Sequence, residues 1–330
     1  MDNINTILVT GGAGYIGSHV CKALSEAGLT PITYDNFQGG HRWAVQFGPL
    51  IEGDIHDTEK LKKTLDLYQP AAVFHLASSI NVRESLSDPL KYYHNNVQGT
   101  LSLLKAMVES GTTNIVFSST ASVYGNPLET PLKEDHPKRP LHAYGKSKYM
   151  VELLLEDFEK AYGIKSVVMR YFNACGADKD GLIGEAHSPE THLIPLVIQT
   201  ALRQKECLDI YGDTYPTFDG TAIRDYIHVS DLADAHLKAL YFLIEKKESL
   251  RVNLGTETGF SIRQIIETVE AISGKKVRTN ICAPSPDACC LVASSKLANE
   301  KLKWYPKNST IENIIETALA WHTKKVEAIL

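Results

Sequence analysis

Short, mostly apolar β-branched runs alternate along this chain with longer stretches in which apolar residues recur every three or four positions. The first cycle is "TILVT" (Thr6 to Thr10), an amphipathic run from Tyr15 to Ala27, then "PITY" (Pro31 to Tyr34). This spacing predicts strand, helix, strand. Further strands are predicted at "AAVFHLA" (Ala71 to Ala77), "NIVFSS" (Asn114 to Ser119) and "SVVMRYF" (Ser166 to Phe172), with helices over Pro89 to Glu109 and Ala143 to Ala161. Parallel neighbours need crossover connections, so the repetition implies an α/β fold, a Rossmann-type doubly wound parallel sheet with helices on both faces.

After Asn173 the rhythm loosens into "GADKDGLIGEAHSPE". The expected organisation is a nucleotide-binding domain over 1–172, to which segments around 224–255 return, and a smaller C-terminal α/β substrate-binding domain over 173–330. Later helices are predicted over His192 to Arg203, Val229 to Leu243, Ser261 to Ser273 and Thr310 to Ile329, with strands over Arg251 to Gly255 and Lys276 to Ile281. No repeat of solenoid period is present.

The 330 residues exceed the size at which one core usually stops growing. With 43% apolar and 22% charged residues the chain is globular, and a net charge of -5 leaves no basic stripe for nucleic acid. The six cysteines show no C-x-x-C spacing and two are adjacent, which suits small apolar residues in a reducing compartment better than a zinc site or disulfide framework. No metal is expected. The start "MDNINTILVTGG" has no basic n-region and too short an apolar run for a signal peptide or membrane span, so a cytoplasmic protein without a membrane partner is expected.

In "VTGGAGYIGSH", Gly11, Gly14 and Gly17 follow the first strand and open the first helix. Glycines there permit a tight turn and close backbone approach, so helix N-terminal amides can hold a pyrophosphate. Asp35 closes the next strand about twenty residues on, where a carboxylate accepts ribose hydroxyls and repels a 2′-phosphate, favouring NAD over NADP. His41 and Arg42 follow, and reverse that preference if they reach the ribose. Asp54, in "EGDI", ends another short strand and is positioned for the adenine edge.

"AYGKSKYMVE" (Ala143 to Glu152) offers a tyrosine and a lysine four residues apart on a helix. Its "GKS" is not a phosphate loop, because Pro140 stands where the leading glycine belongs. Met150, Leu153, Leu154 and Phe158 are read as the opposite, buried side, with Tyr144 and Lys148 sharing one face. A phenol must lose about three pKa units to act as a base near neutrality, and a nearby ammonium supplies about one to three. The pair gains its meaning from the glycine loop upstream.

"TGGAGYIG", "HLASS", "NNVQGT", "SSTASVYG", "YGKSK" and "RYFN" occur in the order and spacing of the extended short-chain dehydrogenase/reductases. The chain resembles that family over nearly its whole length. "GDTYPTFDGTAIRDYIHVSDLADAH" (Gly212 to His236) is similar to the stretch typical of its nucleotide-sugar 4-epimerase branch. Relatives that dehydrate nucleotide sugars carry an acidic pair after the catalytic threonine. Here Thr120 is followed by "ASVYG".

The resemblance implies bound NAD and 4-epimerisation of a UDP-hexose, UDP-glucose/UDP-galactose or UDP-GlcNAc/UDP-GalNAc, through a transient 4-keto sugar; the alternatives are UDP-uronic acid epimerase or decarboxylase chemistry and a non-catalytic NAD-binding scaffold. It implies Tyr144 as acid/base, Lys148 as its electrostatic partner and Thr120 as a sharer of the proton. The cofactor set is Gly11, Gly14, Tyr15, Ile16, Gly17, Asp35, Asn36, Asp54, Ile55, Leu76, Ala77, Asn95, Ser118, Tyr144, Lys148 and Tyr171. The substrate set is Thr120, Asn173, His192, Leu193, Tyr211, Arg224, Tyr226 and Asp287. Four positions depart from the family pattern. Ile80 replaces a lysine, "APSPDACC" (Ala283 to Cys290) lacks an arginine expected to hold substrate diphosphate, His192 replaces an asparagine, and Leu291 stands where a tyrosine limits the N-acetyl pocket in some relatives. The helices over Pro89 to Glu109 and Ala143 to Ala161 correspond to those of a homodimer interface.

Overall fold

The computed structural model describes residues 5–284 and 288–327, with side chains of the last helix through 324. The first half runs β1 (Thr6–Thr10), α1 (Tyr15–Glu26), β2 (Thr30–Asp35), β3 (Leu50–Glu52), α2 (Thr58–Tyr68), β4 (Ala72–His75), α3 (Glu84–Ser87) and α4 (Pro89–Tyr92). It continues through α5 (Gly99–Ser110), β5 (Asn114–Thr120), α6 (Ala143–Tyr162) and β6 (Lys165–Tyr171). Then come β7 (Asn173–Cys175), α7 (Leu193–Ala201), β8 (Leu208–Tyr211), β9 (Ile223–His228), α8 (Val229–Lys246) and β10 (Leu250–Leu254). The chain closes with β11 (Gly259–Ser261), α9 (Ile262–Ser273), β12 (Thr279–Cys282), β13 (Cys290–Leu291), α10 (Lys296–Leu302) and α11 (Ile311–Glu327).

Seven strands form one sheet in the order β10-β6-β5-β4-β1-β2-β3, and every pairing in it is parallel. The pleat of β1 sorts its side chains between two cores. Ile7 and Val9 pack with Val20 and Leu24 of α1, Leu232, Leu240 and Leu243 of α8, and Trp304. Leu8 faces the other side, with Leu61 and Leu65 of α2, Leu103 and Met107 of α5, and Val151 and Leu155 of α6. Burying both faces explains why the strands read as continuous apolar runs.

A third core joins α7, α9 and α11 through Ile194, Val197, Ile265, Val269, Ile314 and Ile315. Beside it, β9 pairs with β11, β13 and β7, and β8 pairs with β12. The C-terminal ends of β5 and β6 and the start of β7 therefore adjoin this second set of elements.

Two expectations change. Helix 89–109 is α4 and α5 joined by a π-helical turn, Tyr93–Gln98. The buried side of α6 is only in part the one its apolar spacing indicated. Leu154 and Phe158 pack against the second core, but Met150 and Leu153 are exposed, whereas Lys148, Val151 and Leu155 are buried. The reason is chemical: Lys148 has a carbonyl partner inside, so polar residues occupy the face that the apolar pattern alone would assign to water. α2 was not anticipated because "TEKLKKTLDLY" buries only Leu61, Thr64 and Leu65; Asp57 caps it by accepting from Lys60 N.

Candidate active site

Between β1 and α1 the chain turns through Gly11, whose φ of 75° suits glycine. A Cβ there would stand 2.6 Å from Ala77 N, and one on Gly17 would stand 2.1 Å from Gly11 O. Both glycines are required for the loop to close against the turn after β4. α1 begins at Gly14 with no side-chain cap and no acidic residue in its first turn. Its first N–H groups and its dipole thus face the loop without a protein anion, which fits a diphosphate.

Asp35 Oδ2 accepts from Ala13 N at 3.0 Å and Oδ1 from Phe37 N at 2.8 Å. Burial raises its carboxyl pKa against these hydrogen bonds. Asn36 Nδ2 donates to Asp54 Oδ2 at 2.8 Å, and Asp54 also bonds His56. Burial of Asp54 is outweighed by the bonds from His56 and Asn36, so its carboxyl lies below the usual range. Arg42 pairs with Glu52 and lies over Phe37, while the His41 ring meets the Ala186 carbonyl. Both basic side chains near Asp35 are therefore engaged with the protein.

Tyr15 donates to Gly176 O at 2.6 Å, and Ile16 is partly buried against the α1–α8 core. Leu76 and Ala77 line the approach to Gly11, and Ile55 packs beneath Gly99. Asn95 donates to Asn96 Oδ1. Asn96 was missed in the sequence: buried on the π turn, it accepts from Ser79 N and donates to Ser79 O and Ser147 Oγ. It locks the turn after β4 to α6, one residue before Lys148.

Tyr144, Lys148 and Thr120 meet at the end of β5. His142 caps α6 by accepting from Gly145 N at 3.2 Å, and its ring stacks on Tyr144 at 6.0 Å. Tyr92 meets Tyr144 edge-on at 6.4 Å. Burial drives the Tyr144 phenol up, opposed by a hydrogen bond with Thr120. Lys148 Nζ donates to Ser118 O at 2.8 Å, and Tyr171 donates to the Ser118 hydroxyl. Burial alone pushes the Lys148 amine down to about 7. One turn on, the buried Glu152 receives two bonds from Arg170, at 3.0 and 2.5 Å, and one from Ser119 at 2.6 Å. This pair, also missed in the sequence, ties α6 to β5 and β6 beneath the tyrosine and lysine.

On the facing side, Asn173 Nδ2 donates to Asp225 O, and Tyr226 is buried. The Arg224 guanidinium donates to Ile223 O and forms no ion pair among the described residues. Asp225 is taken by Thr256 and Ala293, and Asp231 by Asn308 and Ser309. Leu193 opens α7, and His192 Nδ1 lies 2.8 Å from Glu185 and 2.9 Å from Glu190. Leu291 pairs with Arg224 in register and packs near Val123, Tyr124 and Leu132. Ile80 is exposed, and Asp287 lies outside the described residues. Arg83, also unanticipated, places its guanidinium 3.7 Å over the Tyr211 ring.

Residues 7–255 match the NAD dependent epimerase/dehydratase family. The chain belongs to that family. UDP-glucose 4-epimerase of Rhizobium leguminosarum bv. trifolii is 46% identical over 97% of this chain and 98% of its own length. UDP-glucose 4-epimerase of Streptococcus mutans is 47% identical, with 96% of each chain covered. The solved UDP-glucose 4-epimerase of Brucella ovis in complex with NAD has TM-score 0.94 and 46% identity, covering 96% of this chain and 98% of that one. This member of the family therefore shares fold and length with those epimerases. Among its described residues no helix is long and apolar enough to cross a membrane.

Proposed function

We propose that the chain is a UDP-hexose 4-epimerase acting on UDP-glucose and UDP-galactose. The observation that carries this reading is the half-buried Tyr144 with the buried Lys148 and Thr120 at the C-terminal end of β5, in a sheet whose glycine loop leads into a helix with no side-chain cap. Gly11, Gly14, Gly17 and the start of α1 hold the diphosphate of NAD, and Asp35 holds its adenosine ribose. NAD, when bound, supplies the oxidation and re-reduction at C4 of the sugar. Tyr144 takes the proton of the 4-hydroxyl and returns it, Thr120 shares that proton through its hydroxyl, and Lys148 favours the phenolate electrostatically. Ala121 and Ser122 follow Thr120, so no adjacent acidic pair serves elimination of water.

Arg224 grips the substrate diphosphate with charge-assisted hydrogen bonds. Arg83 supplies the second cation, in place of the arginine that Ala283 to Cys290 lack. Stacked on Tyr211, it spans from the loop before α3 to β8. Arg83→Ala should raise KM for the UDP-sugar about tenfold with kcat nearly unchanged, the pattern of lost uniform binding. An unaltered KM would remove Arg83 from the site.

The test of function is interconversion of UDP-glucose and UDP-galactose by purified protein without added reductant, run beside UDP-GlcNAc and UDP-GalNAc. The acetylated pair belongs in the panel because a leucine, Leu291, stands beside Arg224. We also infer a homodimer. Leu90, Leu101, Val108, Met150 and Leu153 are exposed on α4, α5 and α6, too many large apolar side chains for helices left in water. Light scattering should read twice the 36.5 kDa chain mass, and a monomer would reject the pairing.

A further inference from the structure

We propose that Glu185, His187, Glu190 and His192 form a site for one divalent transition-metal ion, zinc by the chemistry of the donors. The four contribute one ligand atom each within 4.8 Å of one another, from a single short segment ahead of α7. Tetrahedral zinc with bonds of about 2.0–2.1 Å to nitrogen and oxygen sets its ligand atoms roughly 3.3–3.4 Å apart. His187 Nδ1 lies 3.0 Å from Glu185 and 3.7 Å from Glu190, and His192 Nδ1 lies 2.8 and 2.9 Å from the same two carboxylates. These four separations bracket the required value, and with the remaining pairs within 4.8 Å the side chains close on the ion by roughly an ångström of rotamer adjustment.

Charge favours the same occupant. Two carboxylates are brought together here, with Glu185 buried. Two imidazole rings stand beside them with centroids 4.9 Å apart. One divalent cation matches the charge of the two carboxylates and takes a nitrogen from each ring as ligand. Imidazole and carboxylate together suit zinc, copper or nickel better than calcium or magnesium, which prefer all-oxygen sites.

The segment is already pinned around the cluster. Glu185 O accepts from Trp321 Nε1 at 2.8 Å, Ala186 O meets the His41 ring, and the His187 ring lies edge-on to Tyr15 at 6.2 Å. A metal here would rigidify the segment ahead of α7 that makes these contacts to α11, His41 and Tyr15. Its role is structural, because the proton and hydride transfers of the proposed reaction require no Lewis acid.

Untagged protein purified without chelators should carry about one zinc per chain by elemental mass spectrometry. The double variant His187→Gln, Glu190→Gln should lose that metal. A second measurement does not depend on the variant folding: wild-type protein titrated with cobalt should develop the visible absorption of tetrahedral cobalt, which zinc then abolishes. Wild-type protein that holds no metal and takes up neither ion would overturn the proposal and leave a proton-bridged His–Glu network. Metal retained by a folded double variant would overturn it too, by placing the ion elsewhere.

Discussion

Tyr144→Phe should keep its NAD and lose roughly 10²–10⁴-fold in kcat, the range supplied by a positioned acid/base group. The phenyl ring keeps the packing against His142 and Tyr92, so the fold and the glycine loop are untouched. Only the hydroxyl that meets Thr120 is lost. Cofactor content measured after unfolding, together with kcat, separates the chemical step from binding. Wild-type activity in this variant would remove Tyr144 from the mechanism.

Lys148→Met should lower kcat by about 10²-fold or more while making the cofactor-free protein more stable. Burial lowers the Lys148 pKa from 10.5 to about 7. A depressed ammonium pKa means that the unfolded chain binds the proton more tightly than the folded one. Its contribution to stability is full above the unfolded value, falls as pH drops from about 10.5 toward 7, and costs about 5 kcal/mol at the bottom of that window. The hydrogen bond to Ser118 O returns about 1–2 kcal/mol. Methionine fills a similar volume without the charge, so the variant should melt roughly 3–8 °C above wild type near pH 7. The gap should close as pH approaches 10. A variant that melts lower at both pH values would show that the buried amine stabilises the fold.

Much of this was legible in the sequence, because its carriers are local. Thr6–Thr10 and the start of α1 at Tyr15 follow from one apolar run and the glycines after it. Tyr144 and Lys148 need only one turn of helix. What escaped joins distant segments: Glu152 with Arg170, Asn96 with Ser79 and Ser147, Arg83 with Tyr211. Each is unremarkable until the sheet order brings it to its partner. Met150 and Leu153, half of the side of α6 expected to be buried, were misassigned for a related reason. Apolar periodicity identifies the faces that avoid water, and Met150 and Leu153 leave theirs uncovered in a single chain. Glu185, His187, Glu190 and His192 carry no C-x-x-C or H-x-x-x-H spacing in the sequence, and only the loop ahead of α7 folds them together.

Inversion at C4 of a UDP-hexose with no net oxidation is tested most directly with one sugar nucleotide and no added redox partner. Purified protein should be given UDP-galactose alone, with neither oxidant nor reductant, and followed by proton NMR. UDP-glucose should rise to a fixed equilibrium ratio over many turnovers, with no NADH released. Unchanged UDP-galactose, or turnover only as added NAD is consumed, would contradict it.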